Sequence, residues 1–356
     1  MIKLASRLPG FLRTMYSLRR GRVVLPRMLT YTVSFSCNAR CIMCDSWKMD
    51  SPDELQAEEI ERIFSQLPAM DFVRLTGGEP FVRKDLLEIA HLAQQKLKPF
   101  VIHVTTNGFL TGRIIEFCEK RKRTAPLALL VSLDGTKEKH NHIRGRESAW
   151  DAATATLRAL APRRRELRLS IAVNQTIVDA DGAEEHRRLG ELLREWKIDH
   201  NAVIAYKDSA TYSLIREREV APSSAGEYTT WGEFPREQLT ALLDRLEHDA
   251  KNLPIVSRIA KRYYLRGIRN RLLHHRGDPN PRCAALNATL RMYPNGDVPT
   301  CQFNSRIAGN LRAQTFQEIW NSNVMRAQRE WVRKCPGCWA ECEVLPNAIY
   351  SGSILK

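Results

Sequence analysis

Apolar and polar positions along the chain follow two alternating periods, one typical of strands and one typical of helices. Short segments rich in β-branched and aromatic residues predict strands, and segments with apolar residues three and four positions apart predict helices. Six strand units follow one another in this way, with a predicted helix after each of the first five. The predicted strands are 30–36, 71–76, 99–108, 127–135, 167–178 and 199–206, and the predicted helices are 51–67, 86–97, 112–122, 148–161 and 184–196.

The first of these helices has an apparent start signal in the segment SPDEL. Ser51 is a plausible N-cap, Pro52 then occupies the first helical position, and Glu54 completes a capping box. The sequence therefore predicts that this helix begins at Ser51.

Consecutive strand–helix units predict parallel strands with helices packed outside them. An open doubly wound sheet and a barrel both fit, but six units are too few for the eight-unit closed barrel. We predict the α/β class, with a partial (β/α)6 TIM-like barrel over residues 30–206. In either arrangement the site forms at the C-terminal ends of the strands. The segments that fall there are CNARCIMC (37–44), GGEP (77–80), TTNG (105–108) and SLDG (132–135), together with Asn174 and Tyr206.

Outside the predicted barrel, strands and helices no longer alternate regularly. Residues 1–29 are predicted to form a basic leader, and residues 207–282 a basic, mostly helical connecting segment with helices at 235–250 and 254–276. Residues 283–356 are predicted to form a small cysteine-rich module. In that module a turn at 294–297 is expected to join two short strands that bring Cys283 and Cys301 together, and a helix is expected from about residue 315.

The chain is strongly basic, with a formal net charge of +15. Residues 257–282 hold eight Arg or Lys against one Asp. This balance favours an anionic partner, while nucleic acid is disfavoured because aromatic and basic residues do not interleave as in known RNA-binding motifs. The basic leader is expected to pack against the domain, with peripheral contact to anionic lipid as the alternative. It lacks the apolar centre of a signal peptide, and no run of eighteen apolar residues predicts a membrane span.

The number and spacing of the cysteines indicate metal binding. The nine cysteines cannot pair completely, and six of them form two tight groups, 37/41/44 and 335/338/342. Four thiolates would close a tetrahedral zinc site, whereas three leave one coordination position open, and iron–sulfur clusters are held by thiolates at short spacing. A zinc knuckle with a remote fourth ligand is the alternative reading of the first group.

CNARCIMC resembles the three-cysteine signature of the radical SAM superfamily, and the resemblance extends over residues 30–206. It implies a [4Fe–4S] cluster held by Cys37, Cys41 and Cys44, whose open iron binds S-adenosylmethionine (SAM). It also implies reductive cleavage of SAM to a 5′-deoxyadenosyl radical that abstracts a substrate hydrogen.

The same resemblance implies the residues that contact SAM. The GGEP segment looks like the turn that meets the methionyl amino group, where glycine lets backbone approach the ligand. Ser132 with Arg144 resembles the pair that binds carboxylate and ribose, with Arg146 as a competing choice. Met43 stands where an aromatic residue often packs on adenine, a role that a polarizable thioether can fill. The implied cofactor-binding residues are Met43, Gly77, Gly78, Glu79, Pro80, Thr106, Asn107, Ser132, Arg144 and Asn174.

Several of these side chains have a structural alternative. Thr106, Ser132 and Asn174 could satisfy buried backbone groups instead, and Arg144 could form a surface ion pair. His140 and His142, in KHNHIRG, are expected to be exposed loop residues.

The second cysteine group predicts a four-thiolate site from Cys283, Cys301, Cys335 and Cys338, with Cys342 spare or replacing one of them. Zinc would be satisfied by these spacings. The order resembles the twitch module, a shortened relative of the SPASM extension of radical SAM enzymes. That resemblance implies one auxiliary [4Fe–4S] cluster, and no cysteine follows Cys342 to hold another.

We therefore expect a cytoplasmic radical SAM oxidoreductase of the dehydrogenase type, reduced by an external donor such as flavodoxin or ferredoxin. The auxiliary cluster would take an electron from the substrate radical. An anionic small molecule such as a sugar or glycan derivative is the favoured substrate. The alternatives are a peptidyl substrate in ribosomal-peptide maturation, RNA modification, and a binding protein that has lost turnover. The sequence assigns no catalytic base.

Overall fold

The computed structural model describes residues 2–121 and 125–355, with side chains from residue 7 onward. Its centre is a seven-stranded sheet in the order β6-β5-β4-β3-β2-β1-β7, in which every pairing is parallel. The strands are β1 Met28–Ser34, β2 Phe72–Gly77, β3 Val101–Thr106, β4 Leu127–Ser132, β5 Leu169–Ile177, β6 Asp199–Ile204 and β7 Thr289–Met292.

Helices cover the outer face of this sheet and build the C-terminal module. They are α1 Ile2–Arg19, α2 Ala57–Gln66, α3 Leu86–Leu92, α4 Thr111–Lys120, α5 Lys137–Arg144, α6 Ala149–Leu160, α7 Gly182–Glu195, α8 Arg236–Ala250, α9 Ile255–His274, α10 Phe316–Asn321, α11 Asn323–Lys334 and α12 Glu341–Ser351. The predicted α/β fold, with strand–helix units in series, is confirmed. The sheet has two edges, β6 and β7, and remains an open barrel.

Strand β2 shows how the sheet separates core from site. Val73 and Leu75 are fully buried against the outer helices, while Arg74 and Thr76, on the opposite face, are only half-buried. Because successive side chains of a strand point to opposite faces, the sheet has an apolar outer face and a more polar concave face. The concave face is where the described polar side chains can meet a ligand.

The two short strands predicted on either side of the turn at 294–297 are present, and Cys283 and Cys301 line one cavity, but the two strands do not pair with each other as a hairpin. β7, which precedes the turn, joins the large sheet beside β1, and β8 Asp297–Cys301 pairs with β9 Asn304–Asn310 in an antiparallel ribbon. Pairing with β7 satisfies the edge of β1 that would otherwise stay open, and it buries Leu290 and Met292.

The predicted start of the first barrel helix is also wrong. α2 begins at Ala57, after a capping box formed by Gln56 and Glu59. The Ser51 hydroxyl instead accepts a hydrogen bond from the backbone N–H of Phe35, 3.2 Å away, just beyond β1. Ser51 therefore anchors the loop that holds the first cysteines.

The described part of α1 packs against α12. The Phe11 and Tyr350 ring centroids are 5.9 Å apart, Leu18 is buried, and Arg19 Nε donates to the Ser351 carbonyl at 2.8 Å. Pro9 lies within the helix and does not end it. Among the described residues, no helix has the length and hydropathy needed to cross a membrane.

Candidate active site

The first cysteine group lies on the loop between β1 and α2, and a hydrogen-bond donor approaches each sulfur. The Ala39 N–H lies 3.4 Å from Cys37 Sγ, and the Ser46 N–H lies 3.5 Å from Cys44 Sγ. Arg144 Nη1 lies 3.6 Å from Cys41 Sγ. Donors aimed at sulfur favour the thiolate form that an iron–sulfur cluster requires.

Burial opposes ionisation of the same thiols. It raises the pKa of Cys37 to about 12 and that of Cys44 to about 11, and the neighbouring cysteines add to both shifts. Both thiols are therefore protonated at neutral pH, and ligation to iron would release the protons. The donor set fits a buried cluster.

The GGEP turn packs directly against the backbone of the cysteine loop. A Cβ added to Gly77, whose φ is +155°, would lie 2.2 Å from the Ser34 carbonyl oxygen, and one on Gly78 would lie 2.3 Å from that of Phe35. The Gly78 N–H donates to the Ser34 carbonyl at 2.9 Å. Glycine is thus required here for contact with the loop, a reason different from the ligand contact expected from the sequence.

Glu79 connects the ends of two strands. Its carboxylate accepts hydrogen bonds from the Asn107 N–H at 2.7 Å, the Thr106 hydroxyl at 2.8 Å and the Phe81 N–H at 3.1 Å. Burial raises its pKa to about 7. Both carboxylate oxygens accept hydrogen bonds from the protein itself, so Glu79 stabilises the turn and does not face the ligand site.

Arg144 forms a buried ion pair with Asp134. Its Nε and Nη2 donate to the two Asp134 oxygens at 2.5 and 2.8 Å. Burial alone would raise the pKa of Asp134, but Arg144 and His140 outweigh it and lower that pKa to about 2. The surface ion pair considered from the sequence is therefore wrong for Arg144, whose remaining nitrogen faces Cys41. Arg146 donates instead to the Asn38 carbonyl at 3.2 Å.

The expectation of an exposed loop around His140 is wrong. His140 is fully buried on α5, and its Nδ1 accepts the Asp134 N–H at 3.0 Å. His142 is exposed, although it lies on the same helix. The polar sequence KEKHNHIR hid α5, but Gly145, the left-handed residue that ends it, was a usable signal.

A cavity of about 830 Å³ lies within the open barrel. Most of the residues implied by the resemblance line it. These are Cys37, Cys41, Met43, Cys44, Gly77, Gly78, Thr106, Asn107, Ser132, Arg144 and Asn174. Glu79 and Pro80 are buried behind its wall. A volume of this size is within the range of small-molecule sites.

The far wall of the cavity comes largely from β6, α9 and the start of α12, none of which holds a residue that the resemblance implied for SAM binding. Lys261 on α9 donates to Asn201 Oδ1 at 2.6 Å and to Glu341 Oε1 at 2.9 Å, and Asn201 Nδ2 in turn donates to Asn174 Oδ1 at 2.9 Å. The sequence of a basic helix such as α9 does not indicate which of its cations lines a cavity. Four tyrosines, whose pKa values are all raised by burial, also line the cavity: Tyr206, Tyr212, Tyr228 and Tyr264.

A second cavity, of about 530 Å³, lies in the C-terminal module. It is lined by four of the five C-terminal cysteines: Cys283, Cys301, Cys335 and Cys338. Cys342 lines the barrel cavity instead. Four thiols thus share one cavity, whereas Cys342 lies on the wall of the other.

Zinc and a four-iron cluster make different demands on such thiols. A tetrahedral zinc ion would hold its thiolates about 3.8 Å apart, since Zn–S is about 2.3 Å, and a larger cluster accepts a wider spacing. In the described part of the chain, no three His, Cys, Asp or Glu side chains are close enough together to hold one metal ion.

Family models match both ends of this arrangement. The model for the radical SAM superfamily matches residues 31–193, and that for the SPASM iron–sulfur cluster-binding domain matches residues 283–342. The chain thus has a radical SAM domain followed by a SPASM iron–sulfur domain, the combination that characterises radical SAM enzymes with a SPASM or twitch module. Its cofactors are accordingly SAM, the SAM-binding [4Fe–4S] cluster and iron–sulfur in the SPASM domain, as predicted.

The similarity extends to curated proteins and to solved structures. The AdoMet-dependent heme synthase of Methanosarcina barkeri is 26% identical over 88% of this chain and 91% of its own. The mycofactocin maturase MftC of Mycolicibacterium smegmatis is 27% identical over 89% of this chain and 75% of its own. The structure of Streptococcus suis SuiB bound to S-adenosylmethionine shares the fold, with a TM-score of 0.59 at 17% identity, over 88% of this chain and 70% of that one.

Proposed function

We propose that this radical SAM enzyme is a cytoplasmic oxidoreductase that removes a hydrogen atom from an anionic small molecule and passes an electron to one auxiliary [4Fe–4S] cluster. The observation that carries the proposal is a single cavity that reaches from the three-cysteine loop to the C-terminal module. Cys37, Cys41 and Cys44 line one part of it, and Glu341 and Cys342 of the module line another. A substrate in this cavity can contact the first iron–sulfur site and the module that holds the second.

The two sites would perform successive half-reactions. Cys37, Cys41 and Cys44 would hold a cluster that an external donor such as flavodoxin or ferredoxin reduces, and one electron from it would split SAM into methionine and the 5′-deoxyadenosyl radical. The substrate then loses one hydrogen atom to that radical, and one electron to the auxiliary cluster together with one proton to a base or to water. Cys283, Cys301, Cys335 and Cys338 would hold the acceptor.

The residues around the cavity support these roles. Arg144, paired with Asp134, would keep a positive charge beside Cys41. Ser132 at the end of β4 and its register partner Asn174 on β5 would offer polar groups to SAM. The buried tyrosines exclude water, which protects a radical intermediate from side reactions.

An anionic substrate is supported by the cations that line the cavity, including Arg74, Lys261 and Arg291. A sugar or glycan derivative is one candidate. The similarity to the heme synthase suggests a carboxylated tetrapyrrole as another candidate substrate.

Peptide maturation is the second candidate function. It is favoured by the similarity to the mycofactocin maturase, which extends over 89% of this chain.

Anaerobic reconstitution tests the proposal. With dithionite or reduced flavodoxin, the loaded protein should convert SAM to 5′-deoxyadenosine, and the true substrate should accelerate this conversion. The panel should hold carboxylated tetrapyrroles, nucleotide-linked sugars and a precursor peptide, and a Cys37→Ala/Cys41→Ala/Cys44→Ala variant is the control. Loading should give about eight irons per chain, half of which the control loses. Loaded protein that releases no 5′-deoxyadenosine with any of these would exclude the proposal.

A further inference from the structure

One row of side chains crosses the concave face of the sheet below the SAM site. In strand register, Arg291 of β7 lies beside Thr30 of β1, Thr30 beside Arg74 of β2, and Arg74 beside His103 of β3. The row continues through β4 to Ser170 of β5. These five residues all line the barrel cavity. We call the row Arg291, Thr30, Arg74, His103 and Ser170 the floor row.

Arg74 is the uncompensated charge of the floor row. Its Nη1 donates to the Cys342 carbonyl at 3.2 Å, and within the described residues it forms no ion pair. Arg291, in contrast, is paired with Glu343 at 2.6 Å. A half-buried guanidinium with one neutral hydrogen-bond partner keeps donors available for an anion.

The carboxylates that line the same cavity do not neutralise Arg74. Glu341 pairs with Lys261, Asp208 with Arg218, and Asp45 with Lys48. Asp199 is exposed on β6, at the opposite edge of the sheet from β7.

His103 is a second, independent indication of a polar ligand. Its Nδ1 is buried and has no hydrogen-bond partner within the described structure, which is costly for a polar atom. Burial and the adjacent Arg74 lower the pKa of His103 to about 3, so the ring is neutral at pH 7. A neutral imidazole has one N–H donor, and an anion bound at the floor row would supply the missing acceptor near it.

We propose that the floor row binds an acidic group, a carboxylate or a phosphate, of the substrate, with Arg74 as its principal partner. This inference rests on the proposed function, because it assigns the acidic end of that substrate. Thr30, the register neighbour of Arg74 on β1, supplies a neutral hydroxyl donor beside it. Arg74 precedes Gly77 by three residues, so the acidic group would lie on the order of 10 Å below the SAM-binding rim. The substrate is then an extended molecule with its acidic end remote from the reacting carbon.

Anion binding to the reconstituted, SAM-bound protein tests the floor row. Glutarate and inorganic phosphate serve as probes at constant ionic strength, with uncharged glutaramide as the control ligand and calorimetric titration as the readout. Arg74→Gln should lower the affinity for the bound probe by about tenfold to a hundredfold, whereas Arg74→Lys should recover most of that affinity. The matched control is Arg113→Gln, since Arg113 also donates to backbone carbonyls but lies outside the cavity; it should bind as the wild type does.

The outcomes separate this inference from the proposed function. Preference for glutarate or for phosphate identifies the substrate's acidic group as carboxylate or phosphate. The inference is overturned if the wild type binds neither probe, if glutaramide binds equally well, or if Arg74→Gln binds unchanged. If Arg74→Gln fails to load iron, Thr30→Val must still weaken the probe about threefold or more. SAM cleavage by the wild-type protein is scored separately, and its loss would count against the proposed function alone.

Discussion

Replacement of Asp134 by asparagine tests how the buried ion pair supports the first cysteine site. The Asp134 side chain is inaccessible to solvent, binds Arg144 through both oxygens, and also accepts the Thr176 N–H at 2.9 Å. The asparagine side chain would keep the shape but lose the charge, and its amide donors would face the guanidinium. Arg144 would then be a buried cation without a counter-charge beside Cys41.

The magnitude follows from two estimates. The ion pair and His140 lower the pKa of Asp134 from 3.8 to about 2, which corresponds to about 2 kcal/mol of preference for the ionised form in the native state. Removal of one partner of a buried pair costs about 3–5 kcal/mol. At about 2 °C per kcal/mol, the rate for larger domains, the Tm should fall by about 6–10 °C.

Calorimetry of the anaerobically loaded protein at one scan rate measures this shift. The control is Glu184→Gln, which removes a partner of exposed arginines on α7 and should leave the Tm unchanged within error. A Tm for Asp134→Asn within about 2 °C of the wild type would refute the argument that the pair supports this part of the fold.

Three further predictions concern the same two sites. The Tm difference between wild type and Asp134→Asn should be complete above about pH 5 and shrink as the pH falls toward 2, because a lowered carboxyl pKa stabilises the fold only while the group is ionised; a constant difference would contradict this. Gly78→Ala should abolish 5′-deoxyadenosine formation, since its Cβ would meet backbone oxygens at 2.3 and 2.4 Å, while Gly112→Ala, with open space around it, should not. Cys338→Ala should reduce auxiliary iron in an iron assay and Cys342→Ala should retain it; equal losses would place Cys342 among the ligands.

Local patterns predicted much of the scaffold. Alternation and helical spacing placed the six strands of the barrel to within a few residues, because each strand has one face against the helices and this face must be apolar. The cysteine spacing identified the superfamily, because the thiolates of one loop must converge on one cluster. Other features depended on partners distant in sequence. The pairing of β7 with β1 is of this kind, and so is the role of Ser51, whose hydroxyl accepts the distant Phe35 N–H.

The sequence by itself determined the parallel α/β architecture, the iron–sulfur chemistry and the two groups of cysteines, since each is encoded in contiguous residues with a fixed spacing. Only the tertiary structure decided that His140 is buried, that Arg144 pairs with Asp134, and that Cys342 lines the barrel cavity. The floor row is also a feature that only the tertiary structure decided, since its members come from five strands spread over more than half the chain. Strand register brings them to one level of the sheet, and no local pattern in the sequence records that register.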